Sequence, residues 1–236
     1  MRRLTMQQAE MLASKFRTEN GLGQAEPVSV KTLLRKLQIT AMYRPLSADS
    51  YGISCKSKTG KMFMLINSNS TRGRQHFTIA HEFYHLYFDE NPTPHMCCGG
   101  ASVEEKNADI FASVLLLPKE GVYAMLGKEE ILQRKVKLAT VLRIEQMFQV
   151  SRSMLLIRLR DIGVISENER QAMQSIPVKE SALEYGYDRS LYVSANEGVT
   201  IGDFGEKARI LFEEGRISEG HYLELLKMIS DGREDN

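Results

Sequence analysis

Residues 78–85 read Thr-Ile-Ala-His-Glu-Phe-Tyr-His, and the spacing of the two histidines indicates the local structure and the kind of site that the chain forms. His81 and His85 are four residues apart, so on a helix they lie on one face about one turn apart. Two imidazoles in that arrangement can bind one Zn²⁺, while Glu82 points beside the metal and can accept a proton from its bound water. The spacing predicts a helix from about Gln75 to Phe88 that carries a metal-dependent hydrolytic site.

A catalytic zinc site needs a third protein ligand, and the next predicted helix offers carboxylates. Glu105 and Asp109 are four residues apart there, so one of them can reach the metal while the other accepts a hydrogen bond from the second nitrogen of a ligand histidine. Ser102 and Glu105 also match a capping box, in which Glu105 folds back onto the helix N-terminus and Glu104 becomes the ligand. The pattern favours Glu105, because only Glu105 has the aspartate partner.

The chain before this site carries signals of two helices and a small sheet. Thr5 and Gln8 form a capping box ahead of a first amphipathic helix, and Ser29 caps a second. Three β-like runs follow, the last two joined by a hairpin loop at 57–60: residues 39–44, 51–56 and 61–67. A loop at 89–101 then allows the carboxylate helix, which begins after Ser102 and ends before Pro118, to fold back onto the histidine helix.

The chain after Pro118 is predominantly helical. Residues 148–159 resemble the turn and second helix of a helix-turn-helix, and Arg152, Arg158 and Arg160 could contact DNA phosphates. Packing of residues 136–161 against the rest of the protein, or recognition of a partner by them, is the favoured alternative. Further on, the pattern predicts a short strand at 190–194 and helices that begin at Asp203 and Ser218.

Two blocks of residues resemble the ImmA/IrrE family of metallo-endopeptidases. The second block is the more specific, because many unrelated proteases share the histidine motif. The matching residues are Arg74-x-x-Phe77-Thr78-Ile79-Ala80-His81-Glu82-x-x-His85 and Glu105-x-x-Ala108-Asp109-x-Phe111-Ala112-x-x-Leu115-Leu116-Leu117-Pro118. Gly52 and Ile66-Asn67 extend the likeness toward the N-terminus, and it fades after Ile165.

The resemblance implies zinc ligands at His81, His85 and Glu105, a general base at Glu82 and a supporting role for Asp109. Manganese is an alternative metal, because two histidines and a glutamate suit either ion. The resemblance also implies the substrate: family members cut a helix-turn-helix repressor, often one encoded by a phage or mobile element, and so switch on transcription. The family commonly has a small residue before the second histidine, whereas this chain has Tyr84. Tyr84 either narrows the substrate cleft, brings a phenol near the oxyanion of the reaction or packs in the core.

The expected fold is α+β and zincin-like, with helices flanking a small, partly antiparallel sheet. We expect a metallopeptidase core at residues 1–118, a helical, helix-turn-helix-like extension at 119–165 packed on it, and a mostly helical C-terminal segment at 166–236. The alternative function is a non-catalytic regulator that binds DNA or a protein partner and uses the metal only for structure. Glu82 favours catalysis, because a structural site has no use for a carboxylate beside an open coordination position.

Composition and charge bound the function further. The 42% hydrophobic content is ordinary for a globular protein, and no apolar run approaches the roughly 20 residues that span a bilayer. Three cysteines and no apolar leader predict a cytoplasmic protein. Residues 1–170 carry 24 Lys and Arg against 17 Asp and Glu, whereas residues 171–236 carry 7 against 13. This asymmetry leads to the hypothesis that the acidic C-terminal segment covers a basic surface or the cleft.

Overall fold

The structure is a computed structural model that describes residues 2–89, 95–97 and 102–230. The two N-terminal helices are confirmed as α1, Met6–Glu19, and α2, Val30–Lys36. The capping box forms as predicted: Gln8 N–H donates to Thr5 Oγ1 and Thr5 N–H donates to Gln8 Oε1. Ser29 caps α2 by accepting from Thr32 N–H. Local sequence alone therefore determines where both helices begin.

The described strands form one mixed sheet. Strands β1, β2 and β3 match the three predicted runs to within a residue, and the order across the sheet is β4-β2-β3-β1-β5. Strands β1 and β3 are parallel and the other neighbours antiparallel, so the predicted α+β class with a partly antiparallel sheet is confirmed. The strands are β1, Thr40–Arg44; β2, Gly52–Lys56; β3, Met62–Asn67; β4, His95–Cys97; and β5, Thr200–Ile201. Most of the predicted loop at 89–101 lies outside the described residues.

The predicted strand at 190–194 is wrong. Residues Arg189–Tyr192 form a 3₁₀ helix, η1, because Asp188 accepts a hydrogen bond from Ser190 N–H and turns the chain at that point. The strand of this region is β5 instead, which adds to the edge of β1 through the pairs Ala41–Ile201 and Met42–Thr200. The C-terminal segment thus completes one edge of the sheet.

Two helices packed on the sheet form the centre of the molecule. Helix α3, Arg72–Phe88, starts one turn earlier than predicted because Thr71 caps it by accepting from Arg74 N–H. Helix α4, Val103–Leu116, begins after Ser102 as predicted. An aromatic cluster joins α1, α3 and α4: Phe16 lies 5.7 Å from Phe83 and 5.8 Å from Phe111 between ring centres, and Phe88 lies 5.2 Å from Phe111. This cluster sets the position of α4 against α3.

The remaining helices follow α4 along the chain. They are α5, Lys119–Ala124; α6, Lys128–Gln133; α7, Leu138–Phe148; α8, Arg152–Asp161; α9, Glu167–Gln174; α10, Val178–Glu184; α11, Phe204–Glu213; and α12, Glu219–Ser230. Helices α11 and α12 begin where the sequence predicts. The turn between α7 and α8 packs closely on α3, because a Cβ on Gly73 would lie 2.9 Å from Ser151 N. No described helix is long and apolar enough to cross a membrane.

Two of the three arginines that we predicted could meet DNA phosphates are inside the protein. Arg152 is 2% exposed and forms an ion pair with Glu145, and Arg158 is fully buried, where it donates to Leu117 O and Glu10 Oε1. Only Arg160 reaches the surface, and it pairs with Asp161 and Glu167. The phosphate-contacting interpretation of Arg152 and Arg158 is therefore wrong, because that face of α8 packs into the core.

The C-terminal segment covers part of this buried network, and none of its described residues lines the cleft described below. Tyr192 donates its hydroxyl to Glu145 Oε2 at 2.7 Å, and Arg152 donates to Ser181 Oγ at 3.3 Å. Burial raises the pKa of Glu145, and Arg152 opposes that shift. These contacts of the segment are neutral hydroxyls, so they do not support the hypothesis that its acidic charge covers a basic surface.

Replacing Arg152 by alanine is expected to lower the free energy of unfolding by about 3–5 kcal/mol, because Glu145 is then buried without its cation. Urea unfolding followed by circular dichroism measures the change. Arg160→Ala is the matched control, since its ion pairs are exposed and are worth at most about 1 kcal/mol. Equal losses for the two variants would contradict the buried network.

Candidate metal centre and active site

The two histidines of α3 meet on one buried face of the helix. His81 is 1% and His85 4% exposed, and their Nε2 atoms lie 3.0 Å apart. One turn of helix separates them, so the geometry follows directly from the spacing of four. The two nitrogens converge on one point beside the helix.

Glu105 reaches the same point from α4. Its Oε2 lies 3.5 Å from His81 Nε2, and its Oε1 lies 3.4 Å from His85 Nε2. In a tetrahedral zinc site with bonds of about 2.1 Å, neighbouring donor atoms are about 3.4 Å apart. The buried triangle of His81, His85 and Glu105, with one ligand atom of each within 4.8 Å of the others, could therefore hold one metal ion.

The competition between Glu104 and Glu105 is decided by the first turn of α4. Ser102 Oγ accepts from Glu105 N–H at 3.2 Å, which forms one half of the capping box. The Glu105 carboxylate lies beside the two histidines. Glu104 takes hydrogen bonds at the helix N-terminus, from its own N–H and from Ser102, and these lower its pKa.

A carboxylate holds the outer nitrogen of each histidine. His81 Nδ1 lies 2.9 Å from Asp109 Oδ1, and His85 Nδ1 lies 2.5 Å from Asp89 Oδ2. A carboxylate only accepts, so each Nδ1 carries the proton and each Nε2 directs its lone pair into the triangle. The sequence predicts the contact of Asp109, whereas Asp89 was missed. Its signal was present, since Asp89 follows His85 by the same four-residue spacing.

Glu82 is fully buried and is held from the sheet. Ser54 of β2 donates its hydroxyl to Glu82 Oε2 at 2.5 Å. A Cβ on Gly52 would lie 2.6 Å from Thr78 Cγ2 and 3.5 Å from Glu82 Oε1, so glycine is what lets β2 run this close to α3. Sequence reasoning did not find Ser54. The signal in the sequence was that Ser54 follows Gly52 by two residues, so that both lie on the same face of the strand.

A cleft of about 310 Å³ opens beside His81, Glu105 and Asp109. Its walls are apolar and come from four helices, including α8 of the extension. The apolar lining residues are Met6, Phe77, Ile110, Met154 and Ile157. Arg74 also lines the cleft, with its guanidinium 4.0 Å from the centre of the Tyr51 ring. No residue beyond Asp161 lines this cleft in the described part of the chain.

Tyr84 is a core residue and does not line the cleft. It is 2% exposed, and its ring centre lies 5.8 Å from that of Phe111 and 5.7 Å from that of Phe88. Burial raises the pKa of its phenol. Of the three interpretations of this residue, packing in the core is the one that the structure supports.

The buried histidine and glutamate triangle beside a carboxylate defines the site of a metallopeptidase. The chain belongs to the Peptidase_M78 family, because the model of the IrrE N-terminal-like domain matches residues 34–160, slightly more than half of the chain. The protein is therefore a metallopeptidase, a hydrolase that acts on peptide bonds, as the sequence resemblance implies. The matched range extends from α2 to α8 and includes every residue of the triangle. A comparison with curated proteins gives no significant match.

Asp89→Asn is expected to weaken metal binding about 10- to 100-fold, because His85 loses the carboxylate that orients its ring and raises its basicity. Competition with a chelator of known affinity measures the change. Asp49→Asn is the matched control: Asp49 is exposed in a loop, so that variant removes the same charge and should bind metal like the parent. Unchanged affinity in Asp89→Asn would refute the role of this contact.

Proposed function

We propose that the protein is a zinc-dependent endopeptidase that cleaves a helix-turn-helix transcriptional repressor and thereby switches on genes of a phage or mobile element. The observation that carries the peptidase chemistry is the buried triangle of His81, His85 and Glu105 with Glu82 next to it on α3. The repressor substrate rests on the resemblance to the ImmA/IrrE family. A repressor acts on DNA inside the cell, so we propose that the protein works in the cytoplasm.

In this proposal His81, His85 and Glu105 hold the metal, which would act as a Lewis acid and lower the pKa of a bound water. Glu82 is the general base that takes the proton of that water. Ser54 fixes one oxygen of Glu82 through its hydroxyl, so that the carboxylate keeps one orientation. Asp109 and Asp89 accept hydrogen bonds from the Nδ1–H groups of His81 and His85, so that Nε2 is the nitrogen of each neutral ring available to the metal. Zinc is the proposed metal and manganese the alternative, because two histidines and a glutamate suit both ions.

The apolar cleft supports a polypeptide substrate. Phe77, Met154 and Ile157 offer the kind of surface that takes up apolar side chains, beside polar groups that fix orientation. Met154 and Ile157 belong to α8, so we propose that the extension at 119–165 works as a wall of the active site, packed on the core of residues 1–118. The segment 166–236 then serves to support α7 and the sheet edge.

Metal content tests the proposed ligands. Mass spectrometry of the native protein is expected to find about one zinc per chain in the wild type and in Glu82→Gln. His81→Ala and Glu105→Ala should lose it, because the two protein ligands that remain bind zinc much more weakly than three. Glu104→Ala is the matched control and should keep its zinc. Full metal in Glu105→Ala would move the third ligand elsewhere, and manganese in the wild type would overturn the choice of zinc.

Glu82→Gln tests the proposed reaction. The amide of the substituted side chain cannot accept a proton, so cleavage of a repressor should fall by about 10²-fold or more while zinc content and unfolding stay near wild type. Incubation with candidate helix-turn-helix repressors, followed by mass spectrometry of the fragments, measures the rate. Glu104→Gln is the matched control. Equal cleavage by wild type and Glu82→Gln would exclude Glu82 as the base and favour the alternative of a non-catalytic regulator.

A further inference from the structure

A second pocket lies on the opposite face of α3 from the cleft. Arg74, Phe77 and His81 face the cleft, whereas Arg72 and His76 line a pocket of about 340 Å³. At 100° per residue the two sets lie about half a turn of the helix apart. A ligand in this second pocket, which we call the α3 back pocket, would therefore not compete directly with the peptide substrate.

Four separate parts of the chain form the walls of the α3 back pocket. Lys31 comes from the start of α2, Tyr43 from the end of β1, Gln149 from the turn between α7 and α8, and Asn196 from the segment before β5. The volume lies in the range of about 300–1,000 Å³ typical of small-molecule sites. The pocket is thus a junction of the core, the extension and the C-terminal segment.

The charged side chains that line the α3 back pocket are both positive. Lys31 and Arg72 line it, and its lining includes no carboxylate. Within the described ranges neither cation forms an ion pair, and Arg72 Nε is buried without a hydrogen-bond partner. A buried guanidinium nitrogen without a partner costs free energy that an anionic ligand would recover.

His76 adds a neutral acceptor to these donors. Its Nδ1 lies 3.1 Å from Gln149 O, and a carbonyl only accepts, so Nδ1 carries the proton and Nε2 carries a lone pair. Burial, together with the nearby charges of Arg72 and Lys31, lowers the pKa of His76 to about 4. The ring is therefore neutral near pH 7 and can accept a hydrogen bond from a ligand hydroxyl.

We propose that the α3 back pocket binds a small phosphate monoester through Arg72 and Lys31. A phosphoryl group carries about −1.5 to −2 charge at pH 7, which two cations neutralise. The planar fork of Arg72 suits phosphate oxygens, and Lys31 supplies a point charge at the exposed side. The room beyond the phosphate takes the body of the ligand, whose hydroxyls meet His76, Tyr43 and Asn196. This site is independent of the proposed repressor substrate.

Isothermal titration calorimetry with glucose 6-phosphate, inorganic phosphate and acetate tests the proposal. We expect saturable binding of the monoester, weakened about tenfold or more in Arg72→Gln and several-fold in Lys31→Gln. Lys31 is exposed, so its variant keeps the test valid if Arg72→Gln fails to fold. Arg35→Gln is the matched control: Arg35 is exposed on α2, one turn further on, and its variant should bind like wild type.

Phosphate also binds zinc, so the titrations are repeated on His81→Ala, in which the metal site is incomplete. Monoester binding that persists there and still depends on Arg72 supports the α3 back pocket. Binding that disappears in His81→Ala belongs to the metal centre and overturns the proposal. The proposal is also overturned if the monoester does not bind below about 10 mM, or if Arg35→Gln loses as much affinity as the two test variants. It is likewise overturned if only inorganic phosphate binds, or if acetate binds as tightly as the monoester.

Discussion

The packing of α4 against α3 is the constraint on which the site depends. One ligand atom from each of three residues on two helices has to lie within 4.8 Å of the others, and a shift of α4 by about one ångström would disturb this triangle. The aromatic cluster of Phe16, Phe83, Phe88 and Phe111 supplies the rigid contact that prevents such a shift. Ala108 and Ala112, both fully buried and small, keep α4 close to its neighbours.

Burial of the site explains why it needs so many supporting groups. His81, His85 and Glu82 are almost entirely removed from water, and buried polar groups are costly unless they are hydrogen-bonded. Asp109, Asp89 and Ser54 supply those bonds, each from a different part of the chain. The same contacts orient the ligands and the carboxylate, so stability and chemistry depend on the same side chains.

The extension shows how a local pattern can mislead about function. Residues 148–159 have the turn and helix of a DNA-binding motif, yet Arg152 and Arg158 lie in the interior. Their guanidinium groups bond to Glu145, Leu117 and Glu10, which folding brings next to them. Meanwhile Met154 and Ile157 of the same helix line the cleft. A helix has several faces, and only its packing decides which one meets solvent.

The sequence by itself determined the elements whose causes are local: the caps at Thr5, Ser29 and Ser102, the histidine face of α3, and the hairpin of β2 and β3. It also indicated the partner helix of the site, because Glu105 and Asp109 share the four-residue spacing of the histidines. Tertiary structure alone placed Glu105 beside the histidines, put Ser54 on Glu82, and made Thr200 and Ile201 the edge strand. The physical reason is range: caps and helical faces depend on neighbours within four residues, whereas these choices depend on groups that only folding brings together.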